Sequence, residues 1–475
     1  MKWNSDTLEA ELERSGILLN DPRINGQQLI AEEQRNGVIT RALEGGNVLP
    51  NFEEFTADIS RIYEAVKLET GGQVANYIPQ LKHVDPDLFG VSLCTIDGQQ
   101  FSIGDFQNKF SIQSTHKPIN YAVALEELGT ARVHQHIGKE ASGVSFNALT
   151  LNREGLPHNP LINAGAITSL IMQDKNPADK FDHLLELFDQ LTATGKPTFN
   201  NSVYLSERDT ADRNFALAYF MRENGAFPEG VDIEEILDFY FQCCAIESTT
   251  EQMAKMAATF ANSGINPFTN NRVFSSQTVK NCLTMMNTCG MYDFSGEFAF
   301  SIGLPAKSGV SGAIWIAVPN VMGIGIYAPP LDKNGNSVKG VAFAKALVNH
   351  FNFHAFDSLN YELDGKKDPR RKKYETKATE VMQMIFAASA GDLNEVKKIC
   401  NGGISVNEAD YDGRTALHLA AAENRPEVVE YLLHQGANIT VQDRWGGTPL
   451  VDAQKANNRE VLEIFDAFHP SNDNQ

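Results

Sequence analysis

The apolar positions change rhythm along the chain. In the first seventy residues they recur at helical spacing, as in Phe52, Phe55, Ile59 and Ile62, and the pattern stops at Gly71-Gly72. This predicts a small helical region over 1–70. From about 73 to 360 strand-like and helix-like stretches mix. "GVSLCTIDGQQFSIG" reads as a hairpin turning at Asp97-Gly98. Helical segments follow, and late in the region comes the apolar run "VSGAIWIAVPNVMGIGIYAPPL", Val310 to Leu331. It approaches the length of a membrane span, but Pro319-Asn320 divides it into two β-rich halves. The expectation is therefore a buried antiparallel hairpin in an α+β domain spanning 71–362, not a transmembrane helix.

Near Gly365 the rhythm stops at "GKKDPRRKK", where six of the eight residues from Lys366 to Lys373 are basic. A nuclear-targeting signal has this composition, but the run sits where two patterns end, which favours a solvated linker over 363–380. Beyond it, over 381–475, the chain repeats with a period of 33. Thr415 falls on Thr448, Leu417 on Leu450, Ala420 on Ala453 and Val429 on Leu462, with Ala387 and Val396 in register one period earlier. Thr415 to Ala420 and, in part, Thr448 to Ala453 resemble the T-P-L-H-x-A signature of ankyrin repeats. Two or three repeats bury a shared stripe and leave little concave surface, which favours a packing or assembly role over capture of a foreign protein.

Composition narrows the function classes. The chain has 475 residues, 42% of them hydrophobic, enough for several cores. With 60 acidic against 40 basic residues its formal charge is -20, so nucleic acid and anionic membranes are repelled. Six cysteines form no C-x-x-C pair, which argues against a zinc site or a disulfide framework and for reduced core thiols. The opening "MKWNSDTLEAELERSG" has no apolar core and is too acidic for a transit peptide.

The candidate chemistry lies in "FSIQSTHKPINYA", Phe110 to Ala122. An apolar run breaks into polar residues and then into a helical pattern ending at Gly129, which puts Ser114 at a strand-to-helix corner. There the first backbone N–H groups and the helix dipole favour developing negative charge. Lys117, three residues on, shares that face and can take the hydroxyl proton if it is neutral. Spacing alone favours the plainer reading, an N-cap serine. His116 tempts a Ser-His reading, but adjacent helical positions do not face each other, so it is read as non-catalytic. Lys307-Ser308-Gly309 stands directly before the apolar hairpin, so it opens a core strand as K-T-G does in serine β-lactamases and penicillin-binding proteins, and the N–H of Val310 can point at an oxyanion. The S-D-N or Y-x-N element of those enzymes is absent.

In its place stand "PHNPLINAGAI", "LSERDTADRNFA", "LDFYFQCCAIE" and "CGMYDFSGEFAF", preceded by "ANYIPQL". With these motifs in this order, and with the ankyrin tail, the chain resembles the serine-dependent glutaminases of animal kidney and liver type over almost its whole length. The resemblance implies a β-lactamase-like catalytic domain acting on L-glutamine. Carried over by motif, Ser114 is the nucleophile and Lys117 the base, while Tyr77, Asn163, Glu207, Asn214, Tyr240 and Tyr292 face the substrate and Val310 completes the oxyanion hole. These types suit a zwitterion: Glu207 for the ammonium, amides and tyrosine hydroxyls for the carboxylate and carboxamide. Without the resemblance each has a plainer reading: Asn163 in a turn, Glu207 paired with Arg208 or Arg213, Tyr240 and Tyr292 in the core.

The resemblance implies no metal or organic cofactor, and raises inorganic phosphate as an activator and assembly into dimers, tetramers or filaments. In "GVSFNALTLNREG" Phe146 matches the family's mobile loop, but Ala148 and Thr150 stand where the animal enzymes tend to carry a basic and an aromatic residue, so phosphate dependence and assembly stay open. The family's compartments are mitochondrial and bacterial cytosolic, and the opening residues favour the cytoplasm. Two rival readings remain at this stage: a serine amidohydrolase or esterase with another substrate, and a silent ankyrin scaffold.

Overall fold

The structure is a computed structural model that describes residues 47–144, 148–171, 177–357, 365–370 and 375–468. Most of the expected N-terminal helical region, and Phe146, lie outside the described residues. The chain divides into two units, Met1–Phe356 and Asp357–Gln475.

The first unit strings together the helices α1 (Phe52–Lys67), α2 (Lys117–Val133), α3 (Asn163–Ile171), α4 (Pro177–Thr192), α5 (Asn201–Asp209), α6 (Asp212–Glu223), α7 (Ile233–Cys244), α8 (Thr250–Ala261), α9 (Ser276–Cys289), α10 (Ser295–Ser301) and α11 (Val338–His350). Its strands are β1 (Gly90–Thr95), β2 (Gln100–Gly104), β3 (Phe110–Ser111), β4 (Thr198–Phe199), β5 (Ile246–Ser248), β6 (Ala306–Ser308), β7 (Ala313–Val318) and β8 (Met322–Tyr327). Five of them form a sheet in the order β2-β1-β8-β7-β6, and β3-β5-β4 form a smaller one. Every pairing is antiparallel.

Both expected hairpins form. Val91 pairs with Ile103 across the turn at Gly98. The apolar run folds back at Asn320, whose φ is 62°, so that Ile314 pairs with Ile326. Successive side chains of β7 enter opposite cores. Ile314, Ile316 and Val318 join Phe55, Ile59 and Phe343 beneath α1 and α11, while Ala313 and Trp315 join the core of α2, α3, α7 and α9. Burial on both faces is why the run has no polar alternation. Each such aliphatic contributes roughly 1.5–3 kcal/mol. Helix α8 lies directly on β8, and a Cβ at Gly323 would stand 2.1 Å from the Ala258 nitrogen and 2.3 Å from the Ala254 oxygen. Any side chain there would lift the helix off the sheet. Lys307 and Ser308 do not open the hairpin strand; they sit on β6, a separate edge strand, with Lys307 opposite Trp315.

The second unit stacks three helix pairs: α12 (Glu375–Ala390) with α13 (Leu393–Asn401), α14 (Ala416–Ala422) with α15 (Pro426–His434), and α16 (Pro449–Ala456) with α17 (Arg459–Phe468). Helix α12 begins inside the stretch read as a linker. Leu417, Ala420, Val429, Ala453 and Val461 share one core with Met384 and Val396. Thr415 and Thr448 are the N-caps of α14 and α16. His418 of one repeat lies 3.3 Å from the carbonyl of Gly447, which opens the next.

Candidate active site

Strand β3 delivers the chain into a tight turn, Gln113–His116, before α2 begins at Lys117. Gln113 has φ of 48°, a left-handed conformation that costs a non-glycine residue about 1 kcal/mol or more. The surroundings hold it: Thr115 Oγ1 donates to the Ile112 carbonyl at 2.6 Å, Trp315 Nε1 to the Thr115 carbonyl at 3.2 Å, and the Ile112 N–H to the Ile246 carbonyl at 2.8 Å. Gly309 packs against the same turn, where a Cβ would stand 2.9 Å from the Ile112 oxygen. The glycine of K-S-G thus brings the backbone leading to Val310 against the Ser114 turn. Val310 itself packs beside Ile78 and Leu81.

Ser114 is buried and its side chain caps neither the turn nor α2. It lies beside the Tyr292 phenol, whose pKa burial raises against an opposing effect of Ser114. Tyr292 also occupies left-handed backbone, with φ of 54°. Two fully buried lysines flank this pair. Lys117 Nζ donates to Asn163 Oδ1 at 2.7 Å, and Asn163 Nδ2 donates to Asn214 Oδ1 at 3.1 Å. Lys307 Nζ donates to its neighbour's carbonyl at 2.7 Å and lies 4.5 Å from the centre of the Tyr292 ring. Burial penalises the ammonium of both. It lowers the Lys117 pKa to about 8, and it pushes Lys307 well below the usual lysine range, with the charge of Lys117 adding to the effect.

A second cluster forms around Glu207. Tyr77 is 44% exposed, but its hydroxyl turns inward and donates to Glu207 Oε1 at 2.6 Å; Gln113 Nε2 donates to the same oxygen at 2.9 Å. Burial raises the Glu207 pKa, and these two bonds oppose the rise. No ion pair involves Glu207 among the described residues, and Arg208 instead lies 4.0 Å from Asp238. A buried carboxylate held by neutral donors is short of a cation. Burial, with nearby Cys244 and Glu207 adding to it, pushes the pKa of the nearly fully buried Tyr240 phenol well up.

The candidate residues therefore converge from seven segments of the chain. Ser114, Lys117 and Tyr292 meet with Asn163 and Asn214 beyond the lysine, while Tyr77, Glu207 and Tyr240 gather around Gln113. Gln113 was not among the candidates read from the sequence. Its signal was a polar side chain entering a fully buried turn beside the nucleophile, but its partner lies 94 positions away. Next to Tyr292 opens a cavity of about 270 Å³, lined by Asn159, Leu161, Cys289 and Asp293 among others. A crevice of about 690 Å³ meets Val310 and Asp293.

The chain matches the glutaminase family model over residues 72–356. It belongs to the glutaminase family. A model of three ankyrin repeats matches 357–443 and 384–466. The mitochondrial liver isoform of glutaminase from Mus musculus is 45% identical over 484 residues, covering 97% of this chain and 80% of that one. A glutaminase from a Nostoc species is 43% identical over 305 residues, 64% of this chain and 89% of that one. Among solved structures, a probable glutaminase from Bacillus subtilis complexed with 6-diazo-5-oxo-L-norleucine superposes with a TM-score of 0.58 at 33% identity, covering 63% of this chain and 96% of that one. The β-lactamase-like α+β fold and the ankyrin tail expected from the sequence are both present, and the reaction of this glutaminase is hydrolysis of L-glutamine to L-glutamate and ammonia.

Proposed function

We propose that this glutaminase works through an acyl-enzyme on Ser114. The Ser114 oxygen attacks the side-chain carboxamide carbon of glutamine while its proton passes to neutral Lys117, directly or through a tyrosine hydroxyl. The N–H groups of Ser114 and Val310 hold the tetrahedral oxyanion. Tyr292, or secondarily Tyr240, gives the proton that lets ammonia depart, and water then hydrolyses the γ-glutamyl ester. Glu207 binds the substrate ammonium, while Asn163, Asn214, Tyr77 and Tyr240 bind its polar ends. None of these steps calls for a metal or organic cofactor.

The observation that carries this reading is the buried Ser114, whose side chain caps no helix, next to the Tyr292 phenol and one turn from a fully buried Lys117 whose pKa burial lowers to about 8. Such a lysine is neutral in a minor but useful fraction of molecules near pH 7, which lets it take a proton there. The test is Ser114→Ala: ammonia release should be abolished while the thermal transition is unchanged. An active alanine variant would sink the assignment.

We further propose 71–362 as the catalytic domain and 381–475 as a repeat domain serving assembly, with dimers or tetramers, and filaments, as the forms to seek. Inorganic phosphate is proposed as an activator. Light scattering with and without phosphate, read beside a rate assay, tests both. The Mus musculus relative is named mitochondrial, so the mitochondrion is proposed for this chain beside the cytoplasm, and fractionation decides between them.

A further inference from the structure

Tyr292 is a bulky residue in a left-handed conformation, and side chains that the mechanism above does not use hold it there. A positive φ is rare for an aromatic residue and persists only where the surroundings over-determine it. The turn that carries Tyr292 links α9 to α10 and is gripped from three directions. From β6, the Ser308 N–H donates to the Gly290 carbonyl at 3.1 Å, and a Cβ at Gly290 would stand 1.8 Å from the Ala306 oxygen. From the first turn of α10, Ser295 Oγ accepts from the Met291 N–H at 2.9 Å and donates to the Tyr292 carbonyl at 2.7 Å. From the segment before α11, Asn336 Nδ2 donates to the Met291 carbonyl at 3.2 Å.

The grip from Asn336 reaches furthest along the chain. Asn336 is fully buried and 45 positions from its partner. Its own backbone is fixed in turn: Asp332 Oδ1 accepts the Asn334 and Asn336 N–H groups at 2.8 and 3.0 Å, and the neighbouring Ser337 hydroxyl donates to the Ala328 carbonyl at 2.7 Å. Gly335, with φ of 84°, packs against the phenol ring itself, where a Cβ would stand 3.7 Å from Tyr292 Cδ2 and Cε2. The Met291 carbonyl belongs to the peptide plane that enters Tyr292, and the Tyr292 carbonyl to the plane that leaves it. Asn336 holds the first and Ser295 the second. With both planes held, φ and ψ of Tyr292 are set, and so is the direction in which its Cβ leaves the backbone.

We propose that Asn336 is a positioning residue, acting with Ser295 to hold Tyr292 in the left-handed conformation that sets its phenol beside Ser114. Released from either bond, the turn relaxes toward the right-handed conformation that sterics favour for a residue with a side chain. That points the Cβ elsewhere and draws the hydroxyl away from the reacting atoms. The inference rests on the reading of Tyr292 as the group that protonates departing ammonia.

The test measures kcat and KM for glutamine with Asn336→Ala, Ser295→Ala and Tyr292→Phe, each alone, and with the first two also in the Tyr292→Phe background. Melting temperatures are read alongside. Asn336→Ala and Ser295→Ala should each lower kcat about tenfold, between the loss of one hydrogen bond and the outright misplacement of a reacting group. KM should change less than about twofold, because the loss falls on the chemical step. In the Tyr292→Phe background neither should lower kcat further. Ser295→Thr, which keeps the hydroxyl, should restore most of what Ser295→Ala loses. An equal fall in both backgrounds would mean a general loosening of the fold and overturn the proposal. So would a native kcat in Asn336→Ala when Tyr292→Phe is impaired, or a loss confined to KM. Should Asn336→Ala fail to fold, Ser295→Ala decides the matter by the same criteria; if neither folds, the clasp is a folding element and the proposal falls. Native rates in Tyr292→Phe would instead remove Tyr292 as the proton donor, and the positioning role with it.

Discussion

Two helix starts in this chain carry the same spacing of a hydroxyl and a basic side chain, Ser114 to Lys117 and Thr415 to His418, and they do opposite things. At α14 the pair satisfies itself. His418 Nδ1 accepts from the Thr415 N–H at 3.1 Å and lies 3.0 Å from its hydroxyl, and the remaining ring nitrogen meets Gly447 of the next repeat. Nothing is left over to react. At α2 the helix is preceded by an extra turn, the serine caps no backbone group, and Lys117 reaches away to Asn163. Both groups are buried, but their partners are side chains of other segments that a substrate can displace or join. Spacing does not separate a cap from a reaction centre; where the polar atoms find their partners does.

The largest effect to expect from this contrast lies at its first member. Ser114→Ala should lower kcat by about 10⁴-fold or more with no change in melting temperature, since no backbone group loses a cap. A fall in stability like that of a lost cap would place the two serine and threonine sites in one class. Next, Glu207→Gln should raise KM for glutamine by about a hundredfold, because the neutral amide cannot pair with an ammonium; isothermal calorimetry with glutamate should lose affinity in parallel. Smaller again is the response to acidity. Lys117 must be neutral to accept a proton, so below its pKa of about 8 the log of kcat/KM should fall with falling pH with a slope near one. A flat profile between pH 6 and 8 would remove Lys117 as the base. The smallest effect belongs to the second member: Thr415→Ala should cost the repeat unit about 1 kcal/mol, seen as a lower transition in denaturant, and leave glutamine hydrolysis untouched.

How much of this was legible in the chain depended on distance along it. The 33-residue period and both hairpins are local patterns, so Thr415, Gly98 and Asn320 announced their structures directly. Ser114 and Lys117 were visible as a pair, yet the short turn that separates them from a simple helix start was not, because it depends on Trp315 and Gly309 gripping the backbone from the sheet. Lys307 was placed beside the hairpin but not on its own edge strand. Gln113 and Asn336 were passed over for the same reason: a lone glutamine and a loop asparagine acquire meaning only when folding sets them against Glu207 and Met291, 94 and 45 positions away. His116 was set aside because it cannot face Ser114. It lies against α7 instead, where Cys244 and Tyr240 occupy successive turns.

The indole that grips the nucleophile's turn also has an optical consequence. The chain holds three tryptophans, at positions 3, 315 and 445. Trp315 is fully buried and bonded to the Thr115 carbonyl, while Trp445 is 66% exposed on a turn of the repeat unit. An aqueous quencher such as iodide reaches the second and not the first. The emission that survives quenching should include that of Trp315, bonded to the residue next to the serine that would be acylated, so occupancy of Ser114 should be readable in real time without a label.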